Sequence, residues 1–258
     1  MMSAHGRRNP GDSSLLMSRE DPRSWSPAWL RGNRNLILFC ALMLTIVMLP
    51  ALEHSERGEL LFAVLNMFIT FVSVVVNGRS RSLFWIAFVL AGPAVVLRAI
   101  AFLNESTPLL LWSWGLSAAV LVATMLRLLE DVFAPGAVSR DRLFGCVTVY
   151  VLIGLLWCHL YAIIAELSPG AFTGLEAPSR SLRVADLAYF SFNLVTTVAL
   201  TNVLPVSRTA QMVVLLQEFA AVFYMAFVIA RLVGMHGSAP TGRSRDADDD
   251  GATPKPRR

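Results

Sequence analysis

Charge is missing from about half of this 258-residue chain, and where it is missing limits what the chain can become. Residues 35–51, 60–76, 83–102, 108–129 and 143–165 are nearly free of Asp, Glu, Lys and Arg, as is most of 209–234. Each window holds about 17 to 26 residues, and a helix rising ~1.5 Å per residue needs about that many to cross a ~30 Å hydrocarbon core. Only helices and closed barrels satisfy their backbone groups in lipid, and these solid apolar runs lack the alternation of barrel strands. With 55% hydrophobic and 16% charged residues, the composition excludes a secreted enzyme, a nucleic-acid-binding module and a disordered regulator. The sequence predicts an all-α fold, a polytopic membrane protein with six transmembrane helices.

Orientation follows from the arginines, because basic residues gather on the cytoplasmic side of short loops. Arg7, Arg8, Arg19, Arg23, Arg31 and Arg34 precede the first window, and the connection after it, residues 53–59, is mainly acidic. Arg79 and Arg81 mark the second connection, residues 104–107 carry no basic residue, and Arg127, Arg140 and Arg142 surround the fourth. This alternation places both termini in the cytoplasm and the long connection at about 168–208 outside. The arrangement is that of a multi-pass protein of a bacterial inner membrane. The tails at 1–34 and 237–258 are predicted to be disordered, and no removable signal peptide is indicated. The formal net charge of +4 is explained by topology and by attraction to anionic membrane lipids, so no nucleic-acid partner is expected. Asp248, Asp249 and Asp250 read as part of a solvated tail. No internal repeat points to a transporter built from inverted halves.

Within the outer connection, residues 186–197 form an apolar, aromatic stretch about three turns long. It is too short to cross a bilayer but suits a re-entrant helix buried in protein. Asp186 is its expected N-cap, Tyr189, Phe190 and Phe192 its aromatic content, and its negative end near Thr197 would aim at the membrane centre. Residues 141–234 resemble the pore module of bacterial potassium channels, in which two helices flank a pore loop. The resemblance rests on Asp186 to Phe192 for the pore helix and on Thr196, Thr197 and Val198 for the start of a T-T-V-G-Y-G-D filter. It extends to Pro205 after the filter and residues 224–234 at the end of the inner helix. It implies a homotetramer around a shared pore, with a monovalent cation, K+ among the candidates, as the permeant species. Residues 35–135 would then stand where a four-helix sensor-like domain stands.

The departure from that pattern is specific. Where the family has T-V-G-Y-G-D, this chain has Thr197, Val198, Ala199, Leu200, Thr201 and Asn202. The family's glycines let backbone carbonyls turn inward to replace an ion's water. A side chain held in a left-handed conformation costs about 1–2 kcal/mol, and more when β-branched. Two such sites in four subunits would cost on the order of 8–16 kcal/mol, comparable to a domain's whole stability. Potassium selectivity is therefore not carried over to Ala199, Leu200 or Thr201. What remains is a ring of Thr197 hydroxyls, a second ring from Thr201, an apolar Leu200 ring able to block by dewetting, and a neutral outer mouth at Asn202. The expectation is a cation channel with altered or lost potassium selectivity; the alternative is a non-conducting structural or regulatory subunit of the same ancestry.

Other polar residues in the apolar windows have structural readings. The fourth span carries only Arg127 and the third only Arg98, so an arginine-rich voltage sensor is not expected. Arg98 should pair with Glu105 or snorkel outward. Glu218 either attracts cations in the pore or makes a structural hydrogen bond behind the pore helix, the second being favoured. Ala221 stands in the middle of the inner helix, where small side chains pack closely. His159 reads as a neutral histidine hydrogen-bonded between helices. Cys40, Cys146 and Cys158 read as small apolar residues. No spacing of His, Ser, Asp or Cys composes a catalytic or metal centre, so neither an enzyme nor a cofactor is expected.

Overall fold

The computed structural model describes residues 33–48, 64, 67–73, 81–104, 106–134, 140–177, 179–198 and 200–237. Their main elements are helices: α1 (Arg34–Met48), α2 (Arg81–Asn104), α3 (Thr107–Phe133), α4 (Arg140–Leu167), α5 (Arg180–Val195) and α6 (Arg208–Gly237). A two-residue antiparallel ladder, β1 (Phe172–Thr173) with β2 (Leu204–Pro205), adds strand content that the all-α expectation lacks. Both tails beyond these bounds, the acidic connection at 53–59, Glu105 and Ala199 lie outside the described residues.

Among the described residues three helices are long and apolar enough to cross a membrane: Thr107–Phe133, Arg140–Leu167 and Arg208–Arg231. The apolar windows predict six. Arg34–Met48 holds 15 residues, and within α2 the apolar stretch is Phe88–Ala101. The 60–76 window is described only at residue 64 and over 67–73, where it is helical.

Helix α4 is the hub, packing against α1, α3, α5 and α6, while α2 packs on α3. Its neighbours are held by polar contacts as well as apolar ones. Asn35, at the start of α1, donates from its backbone N–H to Asp141 Oδ1 at 3.1 Å and from Nδ2 to the Asp141 carbonyl at 3.0 Å. Two apolar clusters surround the hub. One gathers Trp114, Tyr161, Phe172, Leu187 and Phe190; the other gathers Leu38, Leu128, Leu152, Val195 and Ala221. In the first, the rings of Tyr161, Phe172 and Phe190 meet at tilted or edge angles with centroids 5.3 to 5.9 Å apart, the geometry that aromatic quadrupoles favour.

Helix α6 is attached differently. Only 22% of its apolar stretch is buried inside the protomer, against 50% for α3 and 61% for α4. Its buried residues are Ala210, Val214, Gln217, Ala221 and Val228, and with half-buried Tyr224 between the last two they follow the alternating three- and four-residue steps of a single helical seam.

Gly154 fixes how closely α5 approaches α4. A Cβ built on it would lie 2.5 Å from Cε1 of Phe192, so the aromatic ring occupies the space a side chain would need. Gly154→Val is expected to destabilise the protein by about 1–3 kcal/mol through overpacking, seen as a lower unfolding midpoint in detergent micelles. Gly115→Val, where a Cβ meets nothing within 4 Å, should leave the midpoint nearly unchanged.

Candidate pore segment

Helix α5 begins six residues before Asp186. Its N-cap is Ser179, whose hydroxyl accepts from the Leu182 N–H at 3.3 Å. Asp186 stands inside the helix, half-buried. A serine followed by a run of helix formers provides the earlier start, so the expected cap at Asp186 is corrected. Of the residues proposed for the pore helix, Phe190 is buried in the aromatic cluster and Phe192 packs on Gly154, whereas Tyr189 is 57% exposed.

Three contacts give the depth of α5. The Cys158 thiol faces the Val184 carbonyl at 3.7 Å, the Ser191 hydroxyl donates to Gly154 O at 2.7 Å, and the Tyr150 hydroxyl donates to Val195 O at 2.6 Å. As the number rises along α5 it falls along α4, so the two helices are antiparallel. Val195 therefore ends α5 beside Tyr150, about 26 Å below the last residue of α4 at 1.5 Å per residue. The Tyr150 ring also stacks on Tyr224, in the middle of α6, with centroids 6.4 Å apart. The chain then returns over residues 196–207 to the start of α6.

The turn at the end of α5 is a Schellman cap. Thr197 N–H donates to Leu194 O at 3.1 Å and Val198 N–H to Asn193 O at 3.1 Å. Thr197 stands at φ 58°, the only non-glycine residue with positive φ among the described residues. Glycine is the usual occupant of this position, and a β-branched residue there is strained. The strain expected at Thr201 is not present, and Ala199 lies outside the described residues. The last carbonyls of α5 all have donors: Phe192 O takes the Thr196 N–H and hydroxyl, Asn193 and Leu194 take the cap amides, and Val195 takes Tyr150.

The return segment is tied down by Asn193, which sequence reasoning did not single out, and by Thr201. Asn193, buried on α5, accepts from the Leu200 N–H through Oδ1 at 3.1 Å and donates to Tyr189 O at 2.9 Å. The Thr201 hydroxyl oxygen accepts from the Val203 N–H at 3.1 Å, so it is engaged within its own loop. Further out, the β1–β2 ladder joins the loop after α4 to the segment before α6, and Val206 N–H donates to Ala171 O at 2.8 Å. Gly174, at φ +78°, lies against the Asn202 carbonyl, where a Cβ would clash. Thr196, Thr197, Val198, Leu200 and Asn202 are exposed on the protomer, Val198 at 54% and Leu200 at 69%.

Behind the segment, the structural hydrogen bond expected of Glu218 belongs to its neighbour. Gln217 is fully buried, Ala221 is buried below it, and Glu218 is half-buried. Gln217 Nε2 lies 2.9 Å from both the Ser191 carbonyl and the Ser191 hydroxyl, and its Oε1 accepts from the Tyr161 hydroxyl. The signal was a glutamine within the apolar run of α6 facing a serine between two phenylalanines on α5, visible only once the helices are paired. Arg98 does not snorkel. It is buried, its Nε donates to Ser113 Oγ at 2.8 Å and its guanidinium carbon lies 5.9 Å from the Trp114 ring centre. His159 is buried, with Nδ1 2.8 Å from Leu155 O on its own helix. Arg127 pairs with Glu130 at 3.1 Å and Asp131 at 2.8 Å. Cys146 and Cys158 are buried free thiols and Cys40 is exposed. Among the described residues no three His, Cys, Asp or Glu side chains gather as a metal site.

No protein-family model, curated protein or solved structure matches this chain.

Thr197→Gly should relieve the left-handed strain and raise unfolding stability by about 1 kcal/mol, measured by denaturation in micelles. Tyr150→Phe, which leaves the Val195 carbonyl uncapped, should lower it by about 1 kcal/mol.

Proposed function

We propose that this chain is one quarter of a four-fold symmetric, potassium-channel-like cation channel of a bacterial inner membrane, with altered or lost potassium selectivity. In this reading six spans cross the bilayer, both termini are cytoplasmic, and α5 is a re-entrant pore helix. The observation that carries it is the depth of α5, which stops beside Tyr150 and Tyr224 and is followed by a return segment to the start of α6. Non-helical backbone at such depth is tolerated only where protein or a water-filled cavity covers it. In one protomer, Val198 and Leu200 are exposed, and a closed ring of copies covers them around a common axis. The threonines and carbonyls of residues 196–202 would then line that axis, with K+ or another monovalent cation passing down its gradient.

A second reading, a non-conducting subunit related to potassium channels, is favoured by the capping of α5. Its last carbonyls are shared with the Thr197 and Val198 amides and with the Thr196 and Tyr150 hydroxyls, so less negative potential is left for a cation.

Flux from liposomes into potassium, sodium and caesium gradients separates the two. The channel reading expects cation flux that changes when Thr197 is replaced; the non-conducting reading expects none from a purified tetramer. Restoring the family pattern with Ala199→Gly, Leu200→Tyr and Thr201→Gly together should raise preference for potassium over sodium by about tenfold, equivalent to ~1.4 kcal/mol. No gain in a correctly assembled tetramer counts against the pore alignment.

A further inference from the structure

Four groups from three helices meet behind the pore segment with every donor assigned. The Tyr161 hydroxyl of α4 donates to Gln217 Oε1 of α6. The two hydrogens of Gln217 Nε2 serve the Ser191 carbonyl and hydroxyl oxygen of α5, both at 2.9 Å. The Ser191 hydroxyl then donates to Gly154 O at 2.7 Å, back on α4. Tyr161, Ser191 and Gln217 are each fully buried, so water cannot replace a lost partner, and each unpaired group would carry its full desolvation cost. Apolar contacts alone are tolerant of sliding, because one leucine or valine packs much like another. A directional chain of hydrogen bonds is satisfied at one register only.

We propose that Gln217 is a positioning residue that sets the depth of α5, and with it the placement of residues 196–202. Glutamine is required because the site asks for one acceptor, facing Tyr161, and two donors, facing Ser191. A carboxylate offers no donor and a leucine offers neither. The pin acts at Ser191, and two residues further on Asn193 holds the Leu200 N–H, so a shift of α5 is passed to the return segment through a hydrogen bond. The same contact joins α5 to α6, which makes any rotation of α6 about its seam felt at Leu200. This inference rests on the channel reading only for what the depth serves; the register itself is independent of conduction.

The experiment uses the full chain in lipid vesicles, with Cys40, Cys146 and Cys158 replaced by serine or alanine and Leu200→Cys as reporter. The rate of labelling by a membrane-impermeant maleimide is measured with Gln217 intact, with Gln217→Leu and with Ser191→Ala. A parallel reporter, Leu103→Cys, is exposed at the end of α2, a helix that supplies none of the network's groups. Both substitutions are expected to change labelling at position 200 by about tenfold or more, because exposure follows the local opening equilibrium. Labelling at position 103 is expected to stay within about twofold. Tyr161→Phe, which removes one bond of the chain, should have a smaller effect. Should Gln217→Leu fail to assemble, Ser191→Ala decides alone. Unchanged labelling at 200 overturns the proposal, and so does an equal change at 200 and 103, which would mark general loosening. Because labelling needs no current, a null flux assay leaves this result standing, and a null labelling result leaves the channel reading standing.

Discussion

A helix that ends among packed neighbours leaves its final carbonyls in need of donors, and this constraint organises the centre of the chain. α5 meets it with a Schellman turn, a threonine hydroxyl and the Tyr150 phenol. Two of these are built from the residues just after the helix, and the third comes from α4, so the end of α5 cannot be understood apart from that helix. Thr197 at φ 58° is the local cost of turning the chain there, held in place by the cap hydrogen bonds on one side and by the Asn193–Leu200 contact on the other. Strain that the surroundings maintain tends to mark functional sites, and here it falls on Thr197, at the turn from α5 into the return segment.

Much of this was legible in the sequence. The charge-free windows located α3, α4 and α6, and the short aromatic run located α5 and its end near Thr197. Three things were not legible, each for a physical reason. The start of α5 was misplaced because Asp186 and Ser179 are both good caps, and only the packed helix shows which one has an amide to serve. Glu218 drew attention because charge is conspicuous in an apolar helix, yet the buried partner is Gln217, whose neutral amide can be both donor and acceptor. Arg98 was expected to pair with Glu105, which lies outside the described residues, or to snorkel outward; it is buried instead, held by Ser113 and Trp114 on α3. For Gln217 and Arg98 the partners that decide the outcome lie on other helices.

The polar contacts also divide the labour among the helices. α4 carries the register: Asp141 near its start, Gly154 in the middle, Tyr161 toward its end. α5 is positioned by that register and passes it on to the loop that follows. At the outer end, the β1–β2 ladder and the Gly174–Asn202 approach close the return segment against the loop after α4. Both ends of the segment are thus tied, one beside Tyr150 and one at the β1–β2 ladder, and between them Val198, Leu200 and Asn202 are left exposed on the protomer.

The single seam of α6 has its own implication for how the chain tolerates change. Positions 210, 214, 217, 221 and 228 are committed to neighbours within the protomer, while most of the remaining circumference, with Phe219 and Phe223 stacked at 6.2 Å, owes nothing to internal packing. Substitutions there escape the selection that acts on a folded core. They answer to whatever lies alongside, so this face of α6 is where the chain is free to diverge in response to its surroundings without first unlearning how to fold.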